Sequence, residues 1–127
     1  MQKLSRAVAI DQSGAGWVQV FHLYGGSRRA SSKVGHFVKG AVKSIAFYPK
    51  FIRGKKYKPL RRGFVVRGLV METRYGQRFV DNTRAWAIVN GLCLLKKRGV
   101  FKVKHLQGCL LRTIRRRRYR ALFKEFI

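Results

Sequence analysis

The chain has 127 residues, the size of one ordinary domain, and 46% of them are apolar, so it can bury a core. Against that core stand 30 lysines and arginines and only 4 acidic residues, a formal charge of +26 that makes an isolated chain repel itself. Four scattered acids argue against the converging carboxylate pair that acid–base catalysis needs. Basic residues in every segment favour a nucleic acid over a membrane surface as the partner.

Five segments rich in β-branched and aromatic residues predict strands. They are residues 8–10, 17–24, 34–47, 64–73 and 84–89. Glycine-rich turns separate them in a chain too small for a two-sheet sandwich of many strands. The pattern therefore predicts a mainly β fold, a small closed or partly open barrel, whose closure also hides sheet edges.

Turn-forming residues lie between these segments. Residues 11–16 combine an aspartate and a serine, which bond their own backbone, with two glycines that permit positive φ. Residues 25–27 predict a second turn by the same argument. Residues 74–77 lie between two strand-like runs and predict a tight hairpin turn, with Arg74 and Arg78 on its flanks.

Residues 48–63 break the strand pattern, because neither Pro49 nor Pro59 suits a central strand. Basic residues there alternate with Phe51 and Tyr57, whose rings can stack on bases or brace the loop. A run of charge is often just a solvated face, but this chain has almost no opposite charge. We therefore interpret the segment as an exposed basic loop that contacts RNA.

The chain changes character after Asn90. An apolar run at residues 92–95 leads into a basic turn, and from Leu110 onward no proline or glycine interrupts the sequence. Apolar residues recur at Tyr119 and three, four and seven positions beyond it, on one side of a helix. Residues 115–118 interrupt that stripe, so we expect one or two short helices.

We expect a single domain over residues 1–127. The barrel would occupy residues 1–95, including the loop at 48–63, and residues 96–127 would form a basic, partly helical extension. The sequence contains no run of eighteen apolar residues that would predict a membrane-spanning helix. The strand-like pattern begins within the first ten residues, so we also expect no cleavable presequence in this chain.

Few residues here could carry chemistry. Cys93 and Cys109 lie in apolar surroundings and predict buried thiols of a reducing compartment, with a disulfide between them as the open alternative. Together with His105 they supply three ligands at spacings unlike any zinc knuckle, so we predict no metal and no cofactor. His22, His36 and His105 could act as acid and base in a ribonuclease, but their spacing carries no signature. His22, in an apolar strand, is more typical of a core or partner-contacting residue.

Five short motifs follow one another along residues 4–90. They are Asp11-Gln12-Ser13-Gly14-Ala15, Leu23-Tyr24-Gly25-Gly26-Ser27, Val34-Gly35 with the strand to Ile45, Arg62-Gly63 leading into residues 64–73, and residues 79–90 with Asp81-Asn82 and Ala87-Ile88-Val89-Asn90. Each motif is common by itself. In this order and spacing they resemble the universal family of large-subunit ribosomal protein fourteen.

The resemblance implies a five-stranded β-barrel with a projecting β-ribbon and one or two short C-terminal helices. It also implies a position on large-subunit rRNA, beside the third large-subunit protein and near small-subunit rRNA at the interface. The chain departs from the family's pattern at Gln12, where the family has Asn, and at His36, where it has Asp. The hairpin near Gly76 is short, and the family's Gly-Thr-Arg-Ile segment after Asn90 is not recognisable.

We predict a structural constituent of the large ribosomal subunit, with no catalytic activity, whose basic side chains neutralise rRNA phosphates. A cationic ribonuclease and a freestanding RNA-binding module are the alternatives. The excess of basic and aromatic residues favours a mitochondrial ribosome over a plastid or bacterial one. The predicted RNA-binding residues are Arg28, Arg29, Lys33, Lys39, Lys43, Arg53, Lys55, Lys56, Lys58, Arg61, Arg62, Arg74, Arg78, Arg84, Arg115, Arg116, Arg117 and Arg118.

Overall fold

The computed structural model describes residues 1–47, 60–95 and 114. Every regular element of this part of the chain is a strand. The strands are β1 (Arg6–Ala9), β2 (Trp17–Leu23), β3 (Phe37–Val42), β4 (Val65–Glu72), β5 (Gln77–Arg78), β6 (Arg84–Ala85) and β7 (Gly91–Leu95). Strands β1, β2, β3, β4 and β7 form a closed barrel, and β5 and β6 form a separate two-stranded ribbon.

The predicted mainly β fold, with a five-stranded barrel and a ribbon, is therefore confirmed. The predicted C-terminal helices lie outside the described residues, as does the basic loop apart from its last four positions, residues 60–63. Within the described ranges we find no helix with the length and hydropathy that crossing a bilayer requires.

Closure of the barrel depends on a parallel pairing between its first and last strands. β1 runs parallel to β7, whereas the other neighbours in the barrel are antiparallel. The Val8 N–H donates to the Asn90 carbonyl at 2.8 Å, and the Ile10 N–H donates to the Leu92 carbonyl at 3.0 Å. Each barrel strand therefore has hydrogen-bonded neighbours on both sides, and the closed sheet leaves no free edge.

The barrel interior is filled by alternate residues of its strands. Val18 of β2 is paired with Val42 of β3 and Val20 with Gly40, and the side chains of Val18, Val20, Val38 and Val42 are all fully buried. Gly40 lies between the two β3 valines. A Cβ added there would lie 2.5 Å from the nearest side-chain atom of Val18 and 2.8 Å from a β2 backbone oxygen. Only glycine therefore fits this position at the present strand spacing.

A second apolar cluster lies on the outer side of β4 and β7. It consists of Val34, Leu69, Met71, Cys93, Leu95 and Ile114, with Ile10 and Phe37 packed against it. Ile114, only 2% exposed, is a residue of the predicted basic extension. The extension therefore touches the barrel at this point.

The prediction is wrong about the position of the fifth barrel strand. Of residues 84–89, only Arg84–Ala85 is a strand, and it belongs to the ribbon. The fifth barrel strand is β7, in the apolar run that the sequence pattern does not identify as a strand. The physical reason is that all five β7 residues are buried, since one face meets the interior and the other the outer cluster. Such a strand shows no alternation.

The predicted turns are confirmed, with one change in the ribbon. Gly14, Gly25 and Gly76 all have positive φ. The Gly76 turn joins β4 to β5 through a bond from its N–H to the Thr73 carbonyl, 3.1 Å. The ribbon itself reverses at residues 79–83, where the Phe79 N–H donates to the Thr83 carbonyl at 2.9 Å.

Asp11 links the first turn to the last strand. Its side chain is 5% exposed, and its Oδ2 accepts a 2.6 Å bond from the Leu94 N–H of β7. Its Oδ1 accepts from both the backbone N–H and the hydroxyl of Ser13. One carboxylate therefore satisfies buried donors from two parts of the chain that lie far apart in sequence.

Candidate nucleic-acid interface

Almost all of the predicted RNA-binding residues that the structure describes are exposed. The exposed residues are Arg28, Lys33, Lys39, Lys43, Arg61, Arg62, Arg74, Arg78 and Arg84. The other predicted residues, Arg53, Lys55, Lys56, Lys58, Arg115, Arg116, Arg117 and Arg118, lie outside the described residues. The described cations are thus distributed over the loops, the outer barrel face and the ribbon, rather than gathered at one point.

Arg29 differs from the rest because it is half-buried and has an internal partner. Its guanidinium donates a 2.7 Å bond to the Tyr24 carbonyl. That bond crosses the turn at Gly25, whose φ is +116°. Arg29 therefore holds the turn between β2 and the following loop, in addition to adding charge there.

One end of the barrel brings the end of the basic loop beside β3. The Gly63 N–H donates to the Val42 carbonyl at 2.7 Å. Arg62 directly precedes Gly63 and Lys43 directly follows Val42, so this hydrogen bond brings the two basic residues near each other. Leu60, which is buried in the barrel core, anchors the chain just before this point. Lys43 and the last residues of the basic loop therefore contribute to the same cationic surface.

A groove of about 700 Å³ lies between the N-terminal segment and the base of the ribbon. Lys33, Arg74 and Arg78 line it, together with the ring of Tyr75, which is 97% exposed. Ser32 also lines it, and its buried hydroxyl has no hydrogen-bond partner. The groove is thus cationic, with an aromatic face available for stacking on a base.

The ribbon places two arginines opposite each other. Arg78 of β5 pairs with Arg84 of β6 in the ladder, and Arg78 donates a 2.7 Å bond to Asn82 Oδ1. Like charges directly opposite in a sheet are destabilising. An external anion between them would remove that repulsion. Tyr75, Val80, Trp86 and Ile88 are also largely exposed on and around the ribbon.

Arg67 is a basic residue on the barrel wall that was not among the predicted RNA-binding residues. It lies in β4 directly opposite Lys39 of β3, which in turn lies opposite His22 of β2. His22 is exposed, so it is not a core residue. The signal that could have revealed Arg67 is its outward place in the alternation of β4, between the buried Val66 and Gly68.

His36 acts as a hydrogen-bond acceptor in the loop before β3. Its Nδ1 accepts a 3.1 Å bond from the Lys33 N–H. Burial lowers the pKa of the imidazole, and the nearby charges of Arg29, Lys33 and the Met1 amine lower it further. The neutral ring is the form that can accept this bond.

The remaining titratable groups do not converge on a reactive centre. Burial raises the pKa of the Cys93 thiol, and the carboxylates of Asp11 and Glu72 act in the same direction. Cys93 is therefore a buried, unreactive thiol, as predicted, whereas Cys109 lies outside the described residues. Within residues 1–47, 60–95 and 114, no three metal-ligating side chains form a cluster.

Comparison with known proteins identifies the family to which this chain is similar. The family model of ribosomal protein L14p/L23e matches residues 1–125, well beyond the limit of residue 90 expected from the motifs. A large ribosomal subunit protein uL14m of Tetrahymena pyriformis is 29% identical over 97% of this chain and 96% of its own length. The uL14m of Nyctotherus ovalis is 28% identical over 98% and 97%. The uL14 of Mesomycoplasma hyopneumoniae strain 7448 is 29% identical over 94% and 90%. The chain therefore belongs to the family of ribosomal protein L14p/L23e.

Proposed function

We propose that this protein is a structural constituent of the large ribosomal subunit that binds and stabilises large-subunit rRNA. The family match over residues 1–125 carries the ribosomal role. The charge explains how the role is performed, because 30 basic residues face only 4 acids and must find their counter-charge outside the chain.

The proposed mechanism is neutralisation of packed phosphates on a rigid frame. The closed barrel fixes the backbone positions from which its outward cations extend, so this frame does not have to be ordered when RNA binds. Phosphate contacts of this kind position a protein on RNA without reading its sequence. The site consists of the basic residues predicted from the sequence, together with Arg67 on the barrel wall.

Binding should therefore be strongly salt-dependent. A protein that neutralises on the order of ten phosphates loses affinity with a log–log slope of roughly −7 to −9. Fluorescence anisotropy of a labelled rRNA fragment over a salt series measures that slope. A slope near −2 would show that the basic surface is not the interface.

We also propose one domain over residues 1–127. The burial of Ile114 in the outer apolar cluster with Leu69 and Cys93 supports it, because this cluster joins a residue of the extension at 96–127 to the barrel. Partial proteolysis tests the proposal. A single domain should resist cleavage between residue 95 and Ile114 when bound to RNA, whereas a separate tail should be removed at low protease concentration.

The proposed location is the mitochondrial ribosome. Two of the relatives carry the name uL14m, whose suffix denotes the mitochondrial protein, and the bacterial relatives are named uL14. Sucrose-gradient fractionation of an organelle lysate, followed by mass spectrometry, provides the test. The protein should sediment with large subunits and leave them only in high salt. Its absence from that peak would overturn the mitochondrial location.

Neighbouring proteins are the further partners that we propose. The exposed Tyr75 and Trp86 of the ribbon suit a protein contact as well as an RNA contact. By family resemblance the neighbours include the third large-subunit protein, with small-subunit rRNA across the interface. Chemical cross-linking of intact large subunits would identify them.

The family role is structural and requires no catalysis by the chain. Incubation of the purified protein with labelled RNA tests this directly. Wild type and His22→Ala should leave the RNA equally intact. Cleavage that disappears in His22→Ala would support the ribonuclease alternative instead.

A further inference from the structure

Five side chains form a continuous group on the outer wall of the barrel, which we call the barrel-wall row. Its members are His22, Tyr24, Phe37, Lys39 and Arg67. Lys39 pairs with His22 on one side and with Arg67 on the other, so the row crosses β2, β3 and β4 at one level. Adjacent strands lie about 4.8 Å apart, so the two cations are close neighbours.

Aromatic rings hold Arg67 in this row. Its guanidinium carbon lies 4.4 Å from the centre of the Phe37 ring and 5.0 Å from the centre of the Tyr24 ring. The Lys39 ammonium lies 6.0 Å from the Tyr24 ring. Both cations are therefore within reach of cation–π attraction to Tyr24.

The rings themselves are braced by their neighbours. Tyr24 meets His22 edge to face, with ring centres 5.1 Å apart at 87°. Phe37 packs against the outer apolar cluster of the barrel. Contact with a ring face leaves the in-plane N–H groups of a guanidinium available for hydrogen bonds. Arg67 is thus held in a fixed orientation that an ordinary surface arginine lacks.

A purely structural role leaves one energetic cost unexplained. Lys39 and Arg67 are like charges directly opposite each other, an arrangement that destabilises a sheet. A bound anion would offset the repulsion between the two cations.

The described carboxylates lie elsewhere. Asp11 bonds Leu94 and Ser13 inside the fold, and Asp81 bonds Thr83 in the ribbon. Glu72 lies at the far end of β4, beside Gly91. The anion for the row should therefore come from a partner.

We propose that the barrel-wall row is a phosphodiester-binding strip, in which Lys39 and Arg67 contact the RNA backbone. Phe37 and Tyr24 are positioning residues that hold the Arg67 guanidinium in place. The inference rests on the proposed rRNA-binding function and adds to it a specific site. Charge complementarity favours RNA as the occupant, because two adjacent cations and an oriented N–H fork match phosphate oxygens.

The experiment compares two arginines that differ in their surroundings. Arg67→Gln removes the charge from the row, and Arg6→Gln removes the same charge from the exposed position on β1. Full-length variants are titrated against a fluorescein-labelled 20-base-pair RNA over a salt series. Arg67→Gln should weaken binding roughly tenfold or more, as expected for loss of a charged hydrogen bond. Arg6→Gln should weaken it roughly threefold at most.

The positioning role has its own readout. Phe37→Leu keeps the net charge and removes the ring beneath Arg67. It should weaken RNA binding severalfold while leaving the salt slope unchanged, whereas Arg67→Gln should reduce the slope by about one. Circular dichroism checks that each variant folds. If Arg67→Gln does not fold, Arg67→Lys takes its place, because it keeps the charge and loses the planar fork.

The outcomes separate this inference from the function on which it rests. Equal losses in Arg67→Gln and Arg6→Gln, with steep salt dependence in the wild type, would overturn the strip and leave the rRNA-binding role intact. A wild-type protein without steep salt dependence would overturn both. Displacement of the RNA by poly-glutamate as readily as by unlabelled RNA would indicate an acidic protein as the occupant, and would also overturn the strip.

Discussion

The buried carboxylate of Asp11 gives the strongest test of how the barrel is held closed. In Asp11→Asn, one side-chain oxygen becomes an NH₂ group, which cannot accept a bond. Either the Leu94 N–H, now bonded at 2.6 Å, or the Ser13 donors then face another donor. Loss of one charge-assisted bond at a buried site lowers the free energy of unfolding by about 2 kcal/mol.

Asp81 provides a matched control, because Asp81→Asn makes the same change of atoms and charge on the exposed ribbon. Its Oδ1 accepts from the Thr83 N–H at 3.3 Å and from the Thr83 hydroxyl at 2.8 Å, as Asp11 does from Ser13. Exposed donors can bond water when the acceptor is lost. We therefore expect little change in the stability of Asp81→Asn.

Urea unfolding in high salt, followed by tryptophan fluorescence, measures both variants without aggregation of the cationic chain. Asp11→Asn should shift the midpoint to lower urea with an unchanged slope, whereas Asp81→Asn should follow the wild type. Equal midpoints for the two variants would refute the idea that Asp11 links the first turn to β7.

Three further predictions concern the core, the pH dependence and the ribbon. Gly40→Ala should lower the thermal midpoint sharply, because its Cβ would lie 2.5 Å from a β2 side chain, whereas in Gly68→Ala the nearest atom is 3.5 Å away and the change should be small. The folded-state pKa of His36 is lowered, so the folded chain binds fewer protons and stability should fall as the pH drops below about 6.5. His36→Asn, which keeps an acceptor that does not titrate, should flatten that pH profile, and an unchanged profile would assign it to another group. Arg84→Gln should raise the thermal midpoint at low salt by removing repulsion with Arg78, yet weaken RNA binding, and a loss in both measurements would contradict this account of the ribbon.

Local chemistry made the turns predictable. The Asp-x-Ser-Gly pattern at residues 11–16 and the positive φ of Gly25 follow from properties of single residues and their immediate neighbours. The ribbon tip carries a comparable signal in Asp81 and Asn82, and Asn82 does adopt a φ of +66°. The reversal was instead predicted at Gly76, because glycine is the stronger turn former.

The missed features depend on contacts between distant residues. Polar and apolar residues do not alternate in β7, because the outer cluster covers its second face. The sequence of residues 91–95 alone does not indicate that this face is covered. The importance of Arg67 depends on its register with Lys39 and on two aromatic neighbours, which only the folded sheet brings together. Composition could indicate that the chain binds RNA, but not which wall of the barrel carries an oriented cation.

The parallel pairing of β1 with β7 also determines the order in which the protein can be completed on a translating ribosome. The bond between Asp11 and Leu94 spans 83 residues, so the first strand remains without its last partner until nearly three quarters of the chain has been synthesised. During that interval β1 and β4 are open edges that can pair with other nascent chains. Closure of the barrel also costs the conformational entropy of a long loop before the contacts between β1 and β7 can stabilise it, and this slows folding. We therefore expect this cationic protein to depend on a chaperone, or on early contact with rRNA, until β7 has emerged.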